Sequence, residues 1–105
     1  MADWIDWNEV IRLSTTDRKT PVEKALKLSE ETGELAQAVL SCSGAHACAY
    51  KGHSRDEVIK EAADVIQCAI SVVAKLFEEE GFPEDKFRSI FVEKLERWEA
   101  KQKAE

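Results

Sequence analysis

The sequence predicts an all-α protein, and three observations carry that prediction. Apolar residues recur at helical spacing through four separate stretches. Two of those stretches open on helix-start signals, Thr20-Pro21-Val22-Glu23 and Ser54-Arg55-Asp56-Glu57. No alternating apolar and polar run is bounded by turn residues, so no strand is expected.

The first helix is expected from about Asp3 to Ser14, with Asp3 as its cap and Trp4, Ile5, Val10, Ile11 and Leu13 as its apolar positions. Thr15 to Lys19 reads as a polar connector. The second helix starts at the Thr20-Pro21 signal and runs to about Ser41, with Val22, Ala25, Leu28, Leu35, Ala36 and Val39 forming its apolar stripe. Cys42 to His53 lacks sustained periodicity and contains Ser43-Gly44 and Gly52, so it reads as a loop. The third helix is expected from Ser54 to about Glu80, roughly 39 Å at the helical rise. Its stripe is Val58, Ala62, Val65, Ile66, Ala69, Val72, Val73, Leu76 and Phe77. Gly81-Phe82-Pro83 separates it from a fourth helix over about Glu84 to Gln102, where Phe87, Ile90, Phe91, Leu95 and Trp98 are apolar. Short connections make antiparallel neighbours of successive helices.

A chain of 105 residues is expected to be one domain, 1–105, with a modest core that oligomerisation would complete. The formal net charge of -6 argues against gripping a nucleic-acid backbone. No stretch has the length of a membrane span, and the first residues lack the pattern of a signal peptide. A cytoplasmic location is therefore expected, and Cys42, Cys48 and Cys68 read as free thiols.

The chemistry is carried by acids. Glu30-Glu31-Thr32-Gly33-Glu34 lies in the second helix and Glu61-Ala62-Ala63-Asp64 in the third. Residues three apart share a helix face, so Glu31 pairs with Glu34 and Glu61 with Asp64. If the two helices pack together, four carboxylates converge and repel one another unless a cation intervenes. Hard divalent ions prefer such all-oxygen sites. No histidine follows Glu34 or Glu61 at the Glu-x-x-His spacing of di-iron bundles, which favours Mg2+ or Mn2+ over iron or zinc. The acids border the apolar stripes, and Gly33, Ala38, Ala62 and Ala63 around them are small enough for close helix approach. The plainer alternative is a solvated glutamate face.

The run Lys27-Leu28-Ser29-Glu30-Glu31-Thr32-Gly33-Glu34-Leu35, followed by Glu61-Ala62-Ala63-Asp64-Val65, resembles the MazG-like nucleotide pyrophosphohydrolases. These belong to the all-α NTP pyrophosphatase superfamily, with dCTP pyrophosphatases, dimeric dUTPases and phosphoribosyl-ATP pyrophosphohydrolase. The resemblance covers roughly residues 20 to 80. It implies an oligomeric four-helix bundle of MazG-like type, and Mg2+-dependent conversion of a nucleoside triphosphate to the monophosphate and pyrophosphate. By position it implies Glu31, Glu34, Glu61 and Asp64 as ligands to Mg2+, with Mn2+ as a substitute, and Glu30 in support of the attacking water. Lys94 and Arg97 in the last helix, and Lys51 in the loop, are candidates for the substrate phosphates; their alternative is ordinary surface charge. Relatives assemble as dimers or tetramers, so a homodimer or homotetramer is expected. Phosphoribosyl-ATP hydrolysis is the second enzymatic reading, and a non-catalytic helical module that binds metal or a partner is the third.

Trp4 and Trp7 suit either packing or stacking on a nucleobase. Cys42, His46, Cys48 and His53 do not match a common structural zinc spacing, and a polar loop is the simpler reading.

Overall fold

The computed structural model describes residues 4–44 and 52–105. Among them are four helices, α1 (Trp7–Thr16), α2 (Pro21–Cys42), α3 (Arg55–Leu76) and α4 (Glu84–Ala104), and no strand.

The start of α2 is the one expected. Thr20 accepts from the Glu23 amide at 3.1 Å and Glu23 accepts from the Thr20 amide at 3.0 Å, with Pro21 at the first helical position. At α3 only half of the reciprocal cap forms, Ser54 accepting from the Glu57 amide at 3.3 Å. The end of α2 and the start of α4 also fall where expected, and two other termini depart from expectation. The first helix begins at Trp7, because Asp6 is its cap and accepts from the Glu9 amide at 3.1 Å. Trp4 and Ile5 therefore precede the helix. α3 ends at Leu76, short of the expected Glu80. Three successive glutamates, Glu78 to Glu80, would sit at the negative end of the helix dipole. The chain instead turns there and leaves through Gly81, whose φ of 93° suits a residue without a side chain.

α2 and α3 pack antiparallel. Lys24, near the start of α2, donates to Ser71 near the end of α3 at 3.0 Å; at the other end the His53 amide donates to Ser41 at 3.0 Å. α1 packs on α3. The face that α2 buries overlaps the predicted stripe only at Leu28 and Leu35. Val22, Ala25, Ala36 and Val39 are exposed, and the buried residues are Ser41 and the line Lys24, Glu31 and Ala38, every seventh residue, with Leu28, Leu35 and Cys42 half-buried beside it. A seven-residue repeat is the signature of two helices kept in register along one seam. Two of its positions here are charged, so an apolar pattern could not reveal it. The buried apolar residues among those described are two alanines and one isoleucine: Ala38, Ala74 and Ile70.

α4 packs along none of the other helices among the described residues. It is anchored only at its first turn, where Phe87 joins Phe82 and Trp7 in an aromatic cluster with centroid separations of 5.8 to 6.3 Å. Beyond that, Ile90, Phe91, Leu95 and Trp98 are exposed. Glutamates placed four residues before a basic partner support the helix locally: Glu84–Arg88, Glu93–Arg97 and Glu99–Lys103. The projecting helix gives a radius of gyration of 16.4 Å, against about 13 Å for a compact chain of this length.

Gly33 lies within α2, and a methyl group built there meets nothing within 4 Å. It does not serve close helix approach as the sequence suggested, and Ala63 is likewise exposed. Gly33→Ala should therefore stabilise the fold by about 1 kcal/mol through the lower chain entropy of the unfolded state. Urea unfolding checks this, and a loss of stability would show that the helix face is covered.

Candidate metal centre

The antiparallel register of α2 against α3 brings Glu31, Glu34 and Glu61 together. One carboxylate oxygen from each lies within 4.8 Å of the other two. Glu31 is buried on the seam, Glu61 is half-buried and Glu34 is exposed at the rim. Glu31 Oε2 and Glu61 Oε2 are buried with no hydrogen-bond donor. An ionised oxygen held in that state is costly, because its hydration is lost and nothing replaces it. A cation between the acids would supply what is missing, and an all-carboxylate donor set suits a hard divalent ion. The residues present thus fit a magnesium-type ion.

The group carries the electrostatic mark of crowded acids. Glu34 titrates above the ordinary glutamate range, first because of the Glu31 charge, then through loss of hydration and the Glu61 charge. A carboxyl group raised in the folded state favours folding below its unfolded pKa, and that contribution fades as pH rises through the folded value. Without a divalent ion, stability should therefore fall as pH rises through the weakly acidic range, and Mg2+ should remove the fall. Chemical denaturation at several pH values, with and without Mg2+, measures it.

The other candidate residues are placed as follows. Asp64 is exposed and stands outside the three-acid group, though its charge still reaches Cys68. Glu30 points to solvent, 3.6 Å from the Lys27 ammonium. Lys94 and Arg97 are exposed on α4, which approaches neither acid-bearing helix, and Arg97 is engaged by Glu93 at 2.8 Å. Within one chain they do not reach the acids. Lys51, His46 and Cys48 lie outside the described residues, so the loop readings that involve them do too. Trp7 is held in the aromatic cluster. Trp4 is exposed, and both line an open depression of about 570 Å³ with Ile5, Asp6, Asn8 and Glu84.

Lys27, one turn before Glu31 in the sequence, pairs with it at 3.0 Å, whereas Lys60, beside Glu61 in the sequence, engages Glu57 at 3.6 Å. Cys68 lies beside the group; burial and then the Glu31 charge push its thiol up, which leaves it a poor nucleophile at neutral pH. One feature escaped the sequence reading: Lys24 is buried and bound to Asp17 at 2.6 Å and to Ser71. Its seven-residue spacing from Glu31 was the available signal.

No family model matches the chain, and no curated protein or solved structure matches it. Among the described residues no helix is long and apolar enough to cross a membrane. The class defined so far is an all-α protein with a carboxylate group built across two antiparallel helices.

Proposed function

We propose that the protein is a Mg2+-dependent nucleoside triphosphate pyrophosphohydrolase of MazG-like type, releasing the monophosphate and pyrophosphate. One observation carries this reading. Glu31, Glu34 and Glu61 converge from two helices, and two of their oxygens are buried without a donor. That arrangement is better explained by a bound ion than by a solvated acidic face, which would leave every oxygen in water.

Glu31, Glu34 and Glu61 would hold the ion, with Asp64 on the same edge of α3 as a further ligand. The chemistry a divalent ion would supply there is polarisation of the α-phosphoryl group, acidification of the attacking water and neutralisation of the departing pyrophosphate. The chain's own groups do the rest. Glu31 and Glu61, fixed on packed helices, set where the phosphates rest. Glu30, at the solvent edge, orients the water whose oxygen bonds to the α-phosphorus as the α–β anhydride bond breaks. The exposed Trp4 is available to a base, whereas Trp7 serves packing first.

A homodimer at least belongs to this reading. Its support is the apolar length of α4 that nothing among the described residues covers, together with exposed Val22, Leu26 and Ile59. Surfaces of that kind mark association sites. Light scattering of the purified protein should give a multiple of 11.9 kDa. A stable active monomer would refute the assembly.

The decisive experiment is a panel of common NTPs and dNTPs with Mg2+, with products identified. Monophosphate plus pyrophosphate from at least one is expected. No turnover by a folded sample, or diphosphate plus phosphate as products, would overturn the assignment; turnover only of phosphoribosyl-ATP would move it to the neighbouring branch.

A further inference from the structure

The Lys27 ammonium lies 3.0 Å from Glu31 Oε1 and 3.6 Å from Glu30 Oε1. By spacing this is an ordinary pair one turn apart on a helix, and most such pairs join two exposed side chains, as Glu93 and Arg97 do here. The Lys27 pair differs in kind. The Glu31 side chain is only 8% exposed while that of Lys27 is 44% exposed, so a mobile cation reaches inward to a fixed, buried carboxylate. Lys27 takes one oxygen of Glu31, and the other oxygen is buried with no donor. Among the described residues no other ammonium or guanidinium pairs with Glu31, Glu34 or Glu61. The lysine stem is flexible and its head strongly hydrated, so Lys27 can leave Glu31 by a change of rotamer without disturbing the helix.

We propose that Lys27 is the built-in counter-cation of the carboxylate group: it neutralises Glu31 while no divalent ion is bound, and turns to the phosphate chain when metal and substrate arrive. This rests on the metal-dependent reading above. Fully ionised, the three carboxylates, Lys27 and one divalent ion are together formally neutral. The phosphate chain that follows brings negative charge that the site has not yet balanced, and Lys27 is the half-exposed cation already at the rim. In the absence of phosphate the same lysine opposes the metal, because two like charges share one carboxylate. Lys27 is thus a positioning and selectivity residue: it weakens metal binding on its own and strengthens binding of metal and polyphosphate together.

The test uses the intact protein and two simple probes. Mn2+ binding is followed by electron paramagnetic resonance, and binding of inorganic tripolyphosphate is followed by calorimetry in excess Mg2+. Lys27→Met should bind Mn2+ alone about five-fold more tightly than the wild type and tripolyphosphate about five-fold more weakly, the scale of one unit charge at contact in a wet site. Lys27→Arg should keep wild-type tripolyphosphate binding. If Lys27→Met leaves either affinity unchanged, or weakens both, the inference is wrong while the metal site stands. If the wild type binds no Mn2+ at millimolar concentration, the metal reading itself fails and takes this inference with it. Lys27→Gln, equally exposed and helix-compatible, repeats the comparison should Lys27→Met lose helicity.

Discussion

Glu61→Gln should abolish the response of the protein to divalent cations and reduce pyrophosphate release by on the order of 100-fold or more. Changes to residues that only support metal ligands already cost about 10- to 100-fold, so loss of a ligand sets that as a lower bound. The variant also separates a metal centre from a merely acidic surface. Glu61 Oε2 is buried and has no donor. Removing its charge in the absence of metal relieves repulsion on Glu34 and should raise the melting temperature of the ion-free protein. Wild type should instead gain stability from Mg2+, by about 2.7 kcal/mol at a hundred-fold excess over Kd. The two proteins are thus told apart on both counts: the variant is the more stable one without Mg2+, and only the wild type gains stability from it. Glu34→Gln should behave alike, and Asp64→Asn tests whether the fourth acid joins when an ion is present. Equal Mg2+ stabilisation of wild type and Glu61→Gln would remove Glu61 from the site.

Asp17→Ala should cost about 2 kcal/mol of folding stability. Lys24 is only 6% exposed, and Asp17 is its charged partner at 2.6 Å. Breaking a fully buried pair costs about 3 to 5 kcal/mol; the figure is reduced here because the Asp17 side chain is 38% exposed and partly screened. Asp17 also closes the connection between helices. It caps the end of α1, and its backbone carbonyl accepts from Lys75 of α3 at 3.2 Å. The double variant Asp17→Ala, Lys24→Met should recover part of the loss, because no buried charge is then stranded. The Lys24 hydrogen bond holds the Asp17 carboxyl below its usual range against a partial loss of hydration, with the bond from the Lys19 amide adding to it. A lowered carboxyl pKa contributes stability that is present above the unfolded value and lost as pH falls through the folded one. Acid unfolding of the wild type should therefore steepen below about pH 4, and Asp17→Asn should flatten it. A cost under about 0.5 kcal/mol for Asp17→Ala would mean that water reaches Lys24 freely.

Much of the fold was written in local chemistry. The Thr20-Pro21 and Ser54 starts were legible because caps are made by residues within one turn of each other, and such contacts need no knowledge of the rest of the chain. The first helix was misplaced by one turn because Asp3 and Asp6 offer the same capping chemistry, and Asp6 is the one that caps. The end of α3 was misplaced because apolar Leu76 and Phe77 extended the pattern past the point where Glu78 to Glu80 oppose the helix dipole. The acid motif gave the pairings on each helix. It could not show that Lys60 turns to Glu57 and not to Glu61, nor leave Asp64 aside, since both depend on side-chain reach and exposure.

The sequence by itself determined that the chain is helical, where α2 begins, and that Glu31 with Glu34 and Glu61 with Asp64 share helix faces. These follow from hydrogen bonds and angles within a single turn. Only the tertiary structure decided that Lys24, Glu31 and Ala38 form the buried seam of α2, that Glu31, Glu34 and Glu61 meet within 4.8 Å, and that α4 stays apart from α2 and α3. The reason is physical. Which face of a helix is buried depends on the register of a partner far away in sequence, and here that register places charges where an apolar pattern would have placed leucines.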